Sequence, residues 1–392
     1  MRNPSLFDGQ RATSKEAIEL SAQSLAEYGQ HYDHWQISFS GGKDSTTLVT
    51  LVLDLLDRGK IPKPKSLTVN YADTRLELPP LQASAMQVLR EVERRGWTSQ
   101  VVMAELDKRF MVYLLGRGVP PPNNNTMRWC TQKIKLDPMK AAMQKLYEKH
   151  GEKLLSLNGV RVGESAARDN RIAISCGKNG SECGQGWYQR DLPNAICDKL
   201  SPILHWRVCH VWDWLMLDAP ALGFDTALLA DAYGGDEAQE INARTGCIGC
   251  PLASRDLALE HLVNLPQWQH LTPLLEIRHL WKEARYFRNR LQKDGERKAD
   301  GSYSAAPNRK GPLRLEYREQ LLSQLLDIQR RCNEKAAPGY EIDLINQEEE
   351  SRIRELIAAR TFPNRWTGNE PTGDQIIDQI YADGSIQPAL FK

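Results

Sequence analysis

The feature that most constrains this chain is the stretch Ser40-Gly41-Gly42-Lys43-Asp44-Ser45. It follows a short apolar run, Trp35-Gln36-Ile37-Ser38-Phe39. After it, Leu48, Val49, Leu51, Val52, Leu55 and Leu56 recur at helical spacing. The pattern predicts a strand, a tight glycine turn and a helix. Two glycines let the backbone turn sharply with its N–H groups pointing outward, and the helix adds the positive end of its dipole. Lys43 adds a full charge. Such a junction is an anion site suited to a polyphosphate. It is not the Walker loop, which has four residues between its first glycine and the Gly-Lys pair.

The strands and helices that follow set the fold class. Residues 13–30 read as an amphipathic helix, and 66–70 as a second strand running into Tyr71-Ala72-Asp73-Thr74. A charged helix over 78–96, a strand over 100–106, a helix over 135–149 and a strand over 153–158 continue the alternation. Short links between alternating elements imply an α/β fold with a doubly wound parallel sheet. Ligands on such sheets bind beyond the carboxyl ends of the strands, where Asp73 and Thr74 fall. Residues 116–127, with three prolines and three asparagines, read as a loop, either a plain linker or a mobile lid. Residues 173–200 read as irregular. Trp206, Trp212 and Trp214 read as core or subunit-contact residues. From Ser254 to about Arg360 the chain turns to Leu, Arg, Glu and Gln at helical spacing. The expected domains are 1–33, an N-terminal helical segment; 34–253, a nucleotide-binding domain; 254–360, a helical domain; and 361–392, an irregular tail.

Charge and length narrow the classes of function. A balance of 51 basic and 50 acidic residues in 392 argues against a protein coated with nucleic-acid-binding charge, while allowing a local patch. No apolar run reaches the roughly 18 residues of a membrane span, and the first ten residues lack a secretory core. The expectation is a soluble, cytoplasmic protein. Eight cysteines are too few for a disulfide scaffold at this length, so clustered ones suggest metal or catalysis.

Cys247-Ile248-Gly249-Cys250 is half of a metal site or a redox pair. Zinc or an iron–sulfur cluster needs more ligands. Cys130 is the first candidate, sitting among Arg128, Lys133 and Lys135, whose charges are expected to draw its thiol toward thiolate. The fourth falls among Cys176, Cys183, Cys197 and Cys209, with Cys183 favoured for its flanking glycines; Cys332 reads as a buried small hydrophobe. Glu164 with Arg161, Arg168 and Arg171 follows a strand's carboxyl end, where a guanidinium fork suits phosphate. Asp44 and Asp73 are candidates to hold Mg²⁺ with a polyphosphate, and Asp44 can also cap the helix. The run 282–297, with Arg309, Lys310, Arg314 and Arg318, reads as a solvated helix face in preference to a nucleic-acid surface.

The Ser40–Ser45 string resembles the PP-loop of the ATP pyrophosphatase (adenine nucleotide alpha-hydrolase) superfamily. Further blocks follow in order: Asp73-Thr74 with Glu77 and Pro79, Arg128-Trp129-Cys130-Thr131 with Lys133 and Lys135, and Gly159-Val160-Arg161 with Glu164, Ser165 and Arg168. Pro202, Trp206 and Val211-Trp212 then lead to the Gly246-Cys247 CxxC. Together, over roughly 34–255, these blocks resemble the phosphoadenosine phosphosulfate (PAPS) reductase family, and within it the branch serving DNA phosphorothioation. That resemblance implies a Rossmann-like sheet and ATP cleaved to AMP and pyrophosphate, with Ser40 to Ser45, Asp73, Thr74, Arg161 and Glu164 around the nucleotide. It also implies Lys43, Asp44, Arg161 and Arg168 as catalytic groups. A [4Fe–4S] cluster, or zinc, would sit on Cys130, Cys183, Cys247 and Cys250. A cysteine desulfurase or other sulfur donor, further modification subunits and DNA (tRNA less so) are the implied partners, and a homo-oligomer is compatible. The alternatives are a PAPS or APS reductase, and a non-catalytic nucleotide-binding subunit with a structural metal.

Overall fold

A computed structural model describes residues 13–123, 128–163, 166–175, 186–190, 195–233, 246–253, 255–292, 310–364, 366–372, 379–380 and 386–387. Two compact units emerge: Met1–Asp73 with Leu78–Val102 and Asp137–Thr245, and Thr74–Glu77 with Met103–Leu136 and Gly246–Lys392. The chain passes between them several times, so each unit is discontinuous in sequence.

The first unit is the expected α/β fold. Helix α1 (Ser14–Gly29) leads into β1 (His34–Phe39), α2 (Lys43–Asp57), β2 (Ser66–Asp73), α3 (Pro79–Arg94) and β3 (Thr98–Met103). Then come α4 (Asp137–His150), β4 (Leu154–Leu157), α5 (Ala166–Ser175), β5 (Trp187–Gln189), β6 (Cys197–Ser201) and α6 (Val208–Asp213). The sheet runs β3-β2-β1-β4-β6-β5. β1 pairs in parallel with β2 and β4, β4 pairs in parallel with β6, and β5 turns back antiparallel. Residues 173–200 are therefore not wholly irregular. Strand β6, Cys-Asp-Lys-Leu-Ser, carries no β-branched or aromatic side chain, and β5 is three residues long, so neither shows a strand pattern in sequence.

Period-two alternation gives the sheet two unlike faces. Trp35, Ile37 and Phe39 are buried on one side of β1, while Gln36 and Ser38 point the other way. In register, Gln36 meets Thr68 and Ser156, and Ser38 meets Asn70. The Ser156 hydroxyl donates to the Gln36 carbonyl at 2.9 Å. The three tryptophans of 206–214 are core, at 1, 1 and 3% exposure. Trp206 Nε1 donates to Ser21 Oγ of α1 at 2.9 Å, and Trp214 Nε1 to Thr50 Oγ1 of α2 at 2.8 Å, so these rings fasten both helices.

The second unit is mainly helical. The helix Leu315–Asn333 packs on the 3₁₀ run Pro266–Glu276, and Gln347–Ala358 on the π-turn Val112–Gly116. It also contains a hairpin that helical spacing hides: β7 (Arg290–Gln292) pairs antiparallel with β8 (Lys310–Leu313). Arg318, grouped by sequence with a solvated basic run, is fully buried. Its Nη1 donates to the carbonyls of Gly116 at 2.9 Å and Thr361 at 3.0 Å. It holds carbonyls at the end of the π-turn 112–116 and just beyond the helix 347–358, rather than meeting water. Among the described residues no helix is long and apolar enough to cross a membrane.

Candidate active site

In the first unit, β1 ends at Phe39 and α2 starts at Lys43, leaving Ser40-Gly41-Gly42 to make the turn. Gly41 sits at φ +72°, and a Cβ there would lie 3.2 Å from Ala85 Cβ and 3.3 Å from the Tyr71 ring. Conformation and crowding both demand glycine. Ser45 ties the turn together: its hydroxyl donates to the Gly42 carbonyl at 3.0 Å and accepts from the Ser40 N–H at 3.2 Å. Gly42 is the N-cap of α2 and has no side chain to cap it, so the orphan N–H groups of a 15-residue helix open at this turn. Asp44 is thus not the cap. It lies one residue into the first turn, where the dipole favours its charge.

Lys43 and Asp44 are held by groups far away in sequence. The Lys43 N–H donates to the Tyr233 hydroxyl at 3.2 Å, and Lys43 Nζ lies 5.2 Å from the centre of that ring. Tyr233 in turn packs edge-on against Trp212. Asp44 Oδ2 lies 3.3 Å from Lys43 Nζ, and Asp44 Oδ1 accepts from Arg161 Nε at 2.6 Å. Arg161 is only 3% exposed, and its Nη1 donates to the Trp206 carbonyl at 3.1 Å. The structure therefore turns Arg161 toward Asp44 rather than toward an open groove. Arg168 lies in α5 with its side chain outside the described set, and Glu164 and Cys183 lie outside the described residues.

Gly159 explains how Arg161 reaches the loop. A Cβ on Gly159 would stand 2.9 Å from the Asp44 carbonyl carbon and oxygen and 3.1 Å from Ser45 N. The β4 exit therefore lies directly on the first turn of α2. Gly159→Ala is expected to destabilise the protein by about 1–3 kcal/mol, through overpacking against backbone that cannot yield. Urea denaturation of parent and variant checks this, and an unchanged midpoint would contradict the contact.

Beside the loop, Asp73 closes β2 and is 6% exposed. Three residues earlier, Asn70 is fully buried, and neither of its amide atoms has a hydrogen-bond partner among the described residues. A buried amide without partners carries a cost that a bound polar group would offset.

The second unit holds Cys130, Cys247, Cys250 and Cys332. Cys250 N–H donates to the Cys247 carbonyl at 3.0 Å, closing the CxxC into a tight turn. Gly249 takes φ +60° there, and a Cβ would strike Ile277 at 2.5 Å. The Gly249 N–H donates to Asp256 at 3.2 Å, and the Ile248 N–H to the Leu76 carbonyl at 2.7 Å. Thr74, which follows Asp73 in the chain, donates its hydroxyl to Glu77 at 2.6 Å and lies 4.0 Å from Cys247 Sγ. Arg75 takes φ +64°, and its guanidinium reaches Asp343 at 2.9 Å and Glu349 at 3.3 Å, which anchors the strained segment.

Electrostatics link these groups. Burial pushes the Cys247 thiol up to about 11, against the pull of Lys135. Lys135 is raised first by Cys247, and also by Glu77, Cys130 and Cys250. Cys130 is also raised, because burial outweighs the lowering by its hydrogen bonds with Thr131. The expected drift of Cys130 toward thiolate is thus reversed: neighbouring cations in sequence do not compensate the loss of water. Three thiols that act electrostatically on one lysine have the donor chemistry of a soft metal or an iron–sulfur cluster, with the metal replacing the protons. Among the described residues, however, no three His, Cys, Asp or Glu side chains are drawn into a ligand set. Of the other cysteines, Cys197 is buried in β6, Cys209 is exposed on α6, and Cys332 is fully buried as expected.

Comparison with known proteins finds a family match over part of the chain. Residues 34–220 match the phosphoadenosine phosphosulfate reductase domain family. Two uncharacterized proteins of Methanocaldococcus jannaschii are 29% identical over 55% of this chain and 26% identical over 61%. The matches cover 35% and 49% of those relatives, so the chain spans half of their length or less. Among solved structures, a PAPS reductase from Candida auris aligns with a TM-score of 0.33 and 11% identity, over 55% of this chain and 94% of that one. The U34-tRNA thiolase NcsA from Methanococcus maripaludis, solved with its [4Fe–4S] cluster, aligns at 0.35 and 14%, over 69% and 82%.

Proposed function

We propose that this chain is an ATP pyrophosphatase that adenylylates an oxygen of a second substrate for sulfur incorporation, with a DNA phosphate as the acceptor. The observation that carries the reading is the Ser40–Ser45 turn: an uncapped helix N-terminus, closed by Ser45 and carrying Lys43, without Walker spacing. The β,γ-phosphates of ATP would lie on the N–H groups of that turn. Lys43 would stabilise charge on the leaving pyrophosphate, and Asp73 is the carboxylate offered to Mg²⁺. Both oxygens of Asp44 already face cations, so Asp44 and Arg161 act as positioning residues that fix the first turn of α2. The acceptor oxygen attacks the α-phosphorus, the bond between the α-phosphorus and its bridging oxygen breaks, and pyrophosphate leaves. A persulfide sulfur from a cysteine desulfurase then attacks the activated phosphorus and displaces AMP, and a dithiol reductant cleaves the S–S bond to free the donor cysteine and leave the sulfur on phosphorus. Catalysis is positioning plus electrostatics, with no side-chain base required. The unpartnered Asn70 amide is the group offered to the nucleoside.

Cys247 and Cys250, with Cys130 drawn in on binding, would hold an iron–sulfur cluster or zinc, which supplies, when bound, a Lewis-acid anchor for a sulfur anion. Anaerobically purified protein is expected to contain iron and acid-labile sulfide, both lost in Cys250→Ala. Protein containing neither iron nor zinc would contradict the assignment.

The domain match favours a second reading, a sulfonucleotide reductase. The deciding assay supplies ATP, DNA or tRNA, cysteine, a desulfurase and a dithiol reductant, then digests the acceptor and weighs the products. A phosphorothioate dinucleotide from DNA is the expected result. Sulfite released from PAPS by a dithiol reductant, with no modified acceptor, would replace this reading with the reductase.

A further inference from the structure

The second unit contains a cavity of about 700 Å³, within the usual range for small-molecule and nucleotide sites. Its walls pair aromatic rings with guanidinium groups. Tyr113, Trp129 and Trp366 contribute rings, and Arg285 and Arg290 contribute cations. We propose that this cavity seats an unpaired nucleotide of a single-stranded nucleic acid, its base against the aromatic rings and its phosphate on the two arginines.

The rings are rigidly mounted. Trp129 stacks on buried Phe110 at 5.2 Å between centroids, lies 4.8 Å from Tyr113, and donates its Nε1–H to the Pro120 carbonyl at 3.0 Å. Trp366 lies against the backbone of Gly311, where a Cβ would come within 2.2 Å of the ring. Only glycine lets that indole lie flat there.

The two cations differ in setting. Arg290 is 7% exposed, and its Nε donates to the Gly311 carbonyl at 2.5 Å. Burial pushes it down to about 10, a cost that an anion would offset. Arg285 is exposed and donates to the Pro251 carbonyl at 3.1 Å, and Lys133 lies 5.1 Å from the centre of the Tyr113 ring.

The surface continues in kind along the chain. Tyr286 and Phe287, next to Arg285, are 50 and 43% exposed, and Arg288 stands 5.1 Å over the Tyr286 ring while pairing with Glu283. Alternating aromatic faces and cations track an unpaired strand, whose bases are free to stack; a duplex keeps its bases inside. The run 285–288 is therefore solvated as expected from sequence, but it is a turn with exposed rings and cations rather than a helix face.

The inference deepens the proposed function by naming the form of the acceptor, but it is measured without ATP, on the full chain. Fluorescein-labelled dT₁₂, rU₁₂ and a 12-base-pair duplex are titrated with protein at two salt concentrations, followed by anisotropy. A single strand is expected to bind about tenfold or more tightly than the duplex, with a salt-dependent affinity. Arg285→Glu and the surface variant Phe287→Ala are each expected to weaken it about tenfold while leaving the far-ultraviolet circular dichroism unchanged. Photocrosslinking of a 4-thiothymidine strand should label peptides containing Trp129 or Trp366. Preference for dT₁₂ or rU₁₂ identifies the sugar, and either supports the site. Duplex binding as tight as single-strand binding, unchanged affinity in both variants, or crosslinks confined to other peptides would overturn it. Lys43→Ala should retain strand binding, so failure of the ATP chemistry and failure of this site are separable.

Discussion

Lys43→Ala is expected to lower pyrophosphate release from ATP by about 10²- to 10³-fold, the usual cost of removing one preorganised group facing developing charge. The side chain is 12% exposed and held between Asp44 and the Tyr233 ring, so its ammonium is already positioned at the open helix end. Stability should change by less than about 1 kcal/mol, since the Lys43–Asp44 pair is partly solvated and Asp44 keeps Arg161. Lys43→Arg is not expected to rescue the rate, because a planar fork does not fit where a compact ammonium lies. Steady-state pyrophosphate release beside a melting curve checks both parts. Loss of activity accompanied by unfolding would point to a structural lysine instead.

The second large effect is on stability. Asp44→Ala leaves Arg161 as a buried guanidinium without its carboxylate, a change worth about 3–5 kcal/mol when a buried pair is broken from one side. Removing both charges in Asp44→Ala with Arg161→Met should recover most of that loss, because the desolvation penalty goes with the charge. Denaturant unfolding of the four proteins forms a double-mutant cycle. Single variants whose losses simply add would contradict the coupling.

How much of this was legible in the sequence depends on the range of the interaction. The turn Ser40–Ser45 was readable because strand, glycines, lysine and helix are contiguous, and the structure places them as expected. So was the parallel sheet, whose strands β1, β2 and β4 carry clear apolar runs. Strands β5 and β6 were not, since they are short and poor in β-branched residues. The Asp44–Arg161 pair joins residues 117 apart, and nothing local in either segment announces it. Tyr233 is a similar case: only the fold brings its hydroxyl to the Lys43 N–H, 190 residues away. Reading Arg161 as a phosphate grip followed from its position after a strand, but burial assigns it to Asp44. For Cys130, sequence showed the cations but not the desolvation that outweighs them. The exposed strip around Tyr286 and Phe287 was visible as a basic run with aromatic residues, but the neighbouring cavity was not, since Trp129 and Trp366 reach it from distant segments.

The central claim is that the nucleotide is cut at its α-phosphate. The most direct measurement is product analysis of ATP labelled at the α-position, incubated with protein, Mg²⁺, a nucleic-acid acceptor and the reduced sulfur donor that releases AMP. Labelled AMP appearing in a one-to-one ratio with pyrophosphate, and absent with Lys43→Ala, is the predicted result. Labelled ADP with orthophosphate would contradict it.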